Sequence, residues 1–207
     1  MTLTAPRLAR RALGLGAFTI GYNVVEGVVA VSAGVLAGAV SLVGFGLDSG
    51  IEVVSAVIVV TRLAAGIRGG EPDERKERIA LRAVALTFFA LAASLLIVGV
   101  RDLVVGATPE TSVPGIVLTA LSIVIMPTLA AIKRRVGLQM GSALVVADAA
   151  ETRLCALLSV TTFLALLAYL FVGWTWLDPV AGFVIAIFAV IEGREAWEGE
   201  LVEEHDH

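Results

Sequence analysis

The sequence predicts an all-α polytopic membrane protein with six transmembrane helices and both termini in the cytoplasm. Three observations carry this. The chain is 58% hydrophobic and 16% charged, with a mean hydropathy of +0.93, whereas soluble domains sit near half apolar and a quarter charged. Its apolar runs leave room for about six spans of roughly 20 residues plus loops, and almost nothing for a soluble domain. With the N-terminus inside, all of the 15 Lys and Arg residues except Arg101 and Arg153 fall in cytoplasmic segments or their flanks, as the positive-inside rule requires.

The first helix is expected over residues 12–32. Arg7, Arg10 and Arg11 precede it as in a signal peptide. The run continues too far, contains Asn23 and Glu26, and lacks a clear small-residue cleavage site, so it reads as a retained span. A short Ala-Gly-Val connection leads to the second helix, residues 37–61. Arg62, Arg68, Arg75, Lys76 and Arg78, with Gly69-Gly70 and Pro72, mark a polar loop. The third helix is expected over 79–100 and is followed by a loop with two prolines. The fourth covers 115–132, kinked near its end by Pro127 and closed by Lys133, Arg134 and Arg135. The fifth begins near Gly141 and runs to Val172, long enough to tilt. Gly173-Trp174-Thr175-Trp176 reads as a turn with interfacial tryptophans, and the sixth helix covers 178–193. The organisation is thus a cytoplasmic segment 1–11, a six-helix membrane domain 12–193 and a short acidic cytoplasmic tail 194–207. No basic surface suited to nucleic acid is visible. One cysteine, Cys155, excludes an intrachain disulfide.

The second helix carries Asp48 and Glu52 in the middle of an apolar run. Four residues apart, they project from one helix face, one turn above the other. A carboxylate at mid-bilayer costs at least a few kcal/mol unless something binds it or water reaches it, and two side by side favour a bound cation or a retained proton. The fifth helix carries Asp148, Glu151 and Cys155 on one stripe, with Arg153 on roughly the opposite side. Counted from opposite faces at about 1.5 Å per residue, Asp48 lies about 16 Å deep and Glu151 about 15 Å deep. On facing helices Asp48, Glu52, Glu151 and Cys155 would supply four O and S donors, a set suited to a tetrahedral divalent ion such as zinc.

At these residues the chain resembles the cation diffusion facilitator (cation efflux) family of divalent metal transporters. The motifs are Asp48-Ser-Gly-Ile-Glu52, Ala147-Asp148-Ala-Ala-Glu151-Thr-Arg-Leu-Cys155 and Leu177-Asp178-Pro179-Val180-Ala181-Gly182. The resemblance implies six transmembrane helices, cytoplasmic termini, a metal site built from helices 2 and 5, and a homodimer, formed here by transmembrane contacts. The chain departs from the family pattern. Glu52 replaces Asp, Glu151 stands where His is common, Cys155 replaces the second Asp, and the usual cytoplasmic C-terminal domain has no counterpart. The expectation is therefore a divergent member reduced to its transmembrane domain. Cys155 favours softer ions such as zinc or cadmium, while three carboxylates keep manganese, cobalt and iron open. The ion is substrate; no cofactor is expected, nor is enzymatic activity, since no Ser–His or Cys–His pair lies in the membrane. Export in exchange for protons by alternating access follows from competition of metal and proton for the same lone pairs, in the plasma (inner) membrane.

Blander readings stand beside these. Cys155 reads equally as a packed small side chain. Asp48 and Glu52 could form a buried ion pair or helix–helix hydrogen bonds, for which Arg153 is the one available cation. Asp148 could bind metal, transfer protons or pair structurally. Glu26 and Asn23, three apart on the first helix, suit a proton or gating role or an interhelical hydrogen bond. Gly46 and Gly50 form a small-xxx-small face. The tail with His205 and His207 could collect metal or be an ordinary solvated segment. Alternative functions are a proton-coupled carrier of a small organic cation, which would want an aromatic-lined pocket where aromatics make up only 6%, and a non-transporting membrane metal-binding subunit.

Overall fold

Six helices follow one another in the computed structural model, which describes residues 5–37, 40–67, 74–106, 113–174 and 177–199. They are α1 (Ala5–Ala37), α2 (Val40–Ile67), α3 (Glu74–Val105), α4 (Val113–Met140), α5 (Ala143–Val172) and α6 (Leu177–Glu198). Part of the loop carrying Arg68, Gly69-Gly70 and Pro72, the Pro109 segment, Trp176 and the tail with His205 and His207 lie outside the described residues, as does the Asp178 side chain.

Polarity is distributed inside out relative to a soluble protein. Val25, Val28, Ile97, Val104, Val124 and Phe171 are exposed, while Glu26, Asp48, Glu52, Lys133, Asp148, Glu151 and Thr152 are buried. An outward apolar surface around a polar interior is what lipid as solvent selects. Five helices, α1 to α5, are long and apolar enough to cross a membrane. The sixth expected span, α6, is present but shorter, and its final turns carry Glu192, Arg194, Glu195 and Glu198.

The helices associate chiefly as α1 with α2, α3 with α6, and α4 with α5, with narrower contacts of α2 to α3 and α5, α1 to α4, and α5 to α3 and α6. Phe88, Leu91, Val84 and Ala85 of α3 fill the apolar core with Leu42 and Phe45 of α2 and Leu144, Leu154 and Leu158 of α5. The α1/α2 crossing is close at Gly27 and Gly46. Gly50, the other half of the expected small-residue face, has open space where its Cβ would stand.

Several helix ends differ from the sequence expectation. α3 starts five residues earlier, at Glu74, where Glu74 and Glu77 in the first turn complement the helix dipole. α4 does not stop at Ile132: Lys133, Arg134 and Arg135 lie within it, and it continues to Met140. Its end is a Schellman motif. Gly141 adopts φ 62°; its N–H donates to the Leu138 carbonyl at 3.2 Å, and Ser142 N–H donates to the Gly137 carbonyl at 3.0 Å. Ser142 then caps α5, its Oγ accepting from Val145 N–H at 3.4 Å. This two-residue turn makes α4 and α5 an antiparallel hairpin, and it sets which of their residues meet. Lys133 and Thr152 are nearly equidistant from it.

Candidate metal site between α2 and α5

The site is set by antiparallel register. α2 and α5 are in contact, and their sequences run oppositely, so one turn along α2 corresponds to one turn back along α5. Thr152 Oγ1 donates to Glu52 Oε1 at 2.6 Å, which fixes the level of Glu52 beside Glu151 and Thr152. One turn further, Asp48 falls at the level of Cys155. The Cys155 thiol neighbours both the Asp48 and the Glu52 carboxylates. Asp48, Glu52, Glu151 and Cys155 are each no more than 3% exposed.

These carboxylates have free valence. Asp48 Oδ2, Glu52 Oε2 and both oxygens of Glu151 are buried without a hydrogen-bond partner. Glu151 lies near Ser55 of α2 and Thr87 of α3. An ionised carboxylate buried in this way costs several kcal/mol, so a cation or a proton is needed to complete it. The side chains flank one seam but stand one turn apart. Among the described residues, no three His, Cys, Asp or Glu side chains converge on a point that could hold a metal ion.

Cys155 combines its two anticipated environments. It packs in an apolar cluster with Met126, Leu129 and Ala156, and it also abuts the α2 acids. Asp148 pairs structurally: its Oδ2 lies 2.9 Å from Lys133 Nζ, while Oδ1 has no partner. Glu26 makes interhelical hydrogen bonds. Its Oε2 accepts from Ser49 Oγ of α2 at 2.9 Å, its Oε1 accepts from Ser122 Oγ of α4, and Ser122 also bonds Tyr22 OH at 2.8 Å. Asn23 Nδ2 donates to the Thr19 carbonyl at 3.1 Å, and its Oδ1 is unpartnered. Arg153 points away from the seam and pairs with Glu192 of α6.

Lys133 is the residue that sequence reasoning missed. Placed at the end of α4 in an aqueous basic cluster, it is instead 1% exposed, bound to Asp148 and donating to Thr152 Oγ1 at 2.9 Å. The sequence held a signal: Lys133 and Asp148 flank the Gly141-Ser142 turn at distances that place them on adjoining turns of a hairpin. Arg153 is therefore not the one cation available to the buried acids.

No curated protein matches the chain. The model of the cation efflux transmembrane domain matches residues 17–198, an interval that holds α2 to α6 whole, α1 from residue 17 onward, and every side chain of the seam. The chain accordingly belongs to the cation efflux family, whose members are transporters.

Proposed function

We propose that the protein exports a divalent metal ion, zinc foremost, in exchange for protons, with Asp48, Glu52, Glu151 and Cys155 as the ligands. The observation that carries this reading is the set of buried carboxylate oxygens without partners on Asp48, Glu52 and Glu151, aligned with a thiol along one seam. Carboxylates suit several divalent ions; the thiol narrows the choice toward zinc and cadmium.

In this reading the ion reaches the seam from the cytoplasm. Deprotonation of the acids and rotation about their side-chain torsions bring donors from α2 and α5 onto one point. Transfer of the opening from one membrane face to the other exposes the ion outside, where incoming protons compete for the same lone pairs and release it. Six spans with both termini in the cytoplasm of the plasma membrane, and a homodimer through transmembrane helices, complete the proposal. The basic residues other than Arg101, Lys133 and Arg153 support that orientation.

Metal flux in proteoliposomes under an imposed pH gradient tests it. Zinc or cadmium flux in the wild type that is lost in Asp48→Ala is the expected result. Flux that survives Asp48→Ala unchanged overturns the site, and no flux of any divalent ion in folded wild-type protein overturns the function.

A further inference from the structure

Lys133 is the one buried basic side chain among the described residues, and the transport reading gives it no task. Its surroundings form a directed chain. The ammonium has only hydrogens to offer, so at Thr152 it occupies a lone pair of Oγ1, 2.9 Å away. The single hydroxyl hydrogen of Thr152 must then go elsewhere. Two acceptors are within reach: Glu52 Oε1 at 2.6 Å and the Asp148 carbonyl at 3.1 Å. The carboxylate is nearer and, when ionised, the stronger acceptor. Donation into Thr152 by a cation polarises the hydroxyl and strengthens its bond to Glu52. Glu52 is thus held by Oε1, leaving Oε2 as its unpartnered oxygen. The same ammonium clamps Asp148 Oδ2 at 2.9 Å, keeping that oxygen from competing for a cation.

We propose that Lys133 is a positioning residue for the metal site, acting through Thr152 to orient Glu52 and through its ion pair to withhold Asp148. The proposal rests on the metal-site reading above. It assigns to α4, which contributes no ligand, control over the geometry of a ligand on α2. Partners of this kind, one bond removed from a metal ligand, typically change metal affinity about 10–100-fold when removed.

The test is calorimetric titration of the full-length protein in detergent with cadmium ion, with the thiolate absorption band followed in parallel. The variants are K133M/D148N, which removes the ion pair as a unit and leaves no orphaned charge; T152V, which cuts the chain at its middle; T152S, which keeps the hydroxyl; and the triple variant K133M/D148N/T152V. The expected result is a loss of cadmium affinity of about tenfold or more in K133M/D148N and in T152V, near-wild-type affinity in T152S, and little further loss in the triple variant, because both changes break one chain. A merely structural role would lower thermal stability and leave the dissociation constant of the folded protein unmoved. Wild-type affinity in K133M/D148N and T152V, with binding abolished in D48A, overturns the proposal and leaves the metal site standing. Losses that multiply in the triple variant also overturn it, since they mean two independent effects. Wild-type affinity in D48A overturns the metal site and the proposal together.

Discussion

The carbonyl oxygen of Gly27 lies 3.0 Å from the point where a Cβ on Gly46 would stand, and the carbonyl oxygen of Gly46 lies 3.1 Å from the corresponding point on Gly27. The two helices therefore touch backbone to backbone, one residue from Glu26 and two from Asp48. Val31 closes the same space, its N 2.9 Å and its Cγ2 2.7 Å from the Gly46 position. This approach lets Ser49 of α2 reach Glu26 of α1.

Gly46→Ala is expected to destabilise the protein by about 1–3 kcal/mol, the usual range for overpacking, because backbone atoms cannot turn aside as a side-chain terminus can. Gly50→Ala meets nothing within 4 Å and is expected to be neutral or stabilising by up to about 1 kcal/mol through helix propensity. Thermal unfolding of the two variants in the same detergent checks the contrast.

Cys155→Ser tests the thiol as a ligand apart from its packing. Serine is close in shape, so the Met126–Leu129–Ala156 cluster is little disturbed in volume. Removing the soft donor is expected to lower the cadmium-to-manganese transport ratio by on the order of tenfold, a differential of about 1.4 kcal/mol. An unchanged ratio would mean that Cys155 only packs.

Metal affinity is expected to fall as pH falls. Protons and metal compete for the lone pairs of Asp48, Glu52 and Glu151, so each proton displaced on binding makes affinity rise about tenfold per pH unit while the group is protonated in the free protein, and level off above that range. Cadmium titrations between pH 6 and 8, with proton release read from the buffer dependence of the heat, check both the slope and its sign. A pH-independent affinity without proton release would exclude exchange at this site.

Glu26 is held by Ser49 and Ser122, and its carboxylate is near enough to Asp48, Glu52 and Cys155 to act on them electrostatically without bonding to any of them. Glu26→Gln keeps one acceptor and is expected to cost about 1 kcal/mol of stability, with cadmium affinity within about threefold of wild type, under 1 kcal/mol. Loss of cadmium binding in a stable Glu26→Gln protein would instead place Glu26 among the ligands.

Much of this was legible in the sequence because lipid is a demanding solvent. Apolar runs and their basic flanks predicted six transmembrane helices; six helices are present among the described residues, five of them long and apolar enough to cross a membrane. The spacing of Asp48 and Glu52 against Glu151 and Cys155 predicted a shared level on facing helices, and α2 and α5 meet as that register requires. Hydropathy could not show the end of α4. Lys133-Arg134-Arg135 looks like a cytoplasmic terminus, and only the hairpin brings Asp148 and Thr152 to Lys133 and lets its charge be buried. The small-residue pattern at Gly46 and Gly50 was likewise ambiguous, since the sequence does not state which face a neighbour approaches. The unconverged donors of the seam lie beyond sequence reasoning altogether, because spacing fixes levels along an axis and leaves side-chain torsions free.

The pairing of helices has a mechanical consequence. The glycine crossing binds α1 to α2 as one stiff plate, and the Schellman turn with the Lys133–Asp148 pair binds α4 to α5 as another. Between the plates contact is narrower, and among the described residues the side-chain hydrogen bonds run through two hydroxyls, Thr152 to Glu52 and Ser122 to Glu26 and Tyr22. Compliance in the molecule is therefore concentrated along the crease that holds the acids. A force that shears one plate over the other is felt first as a change in the spacing of those acids.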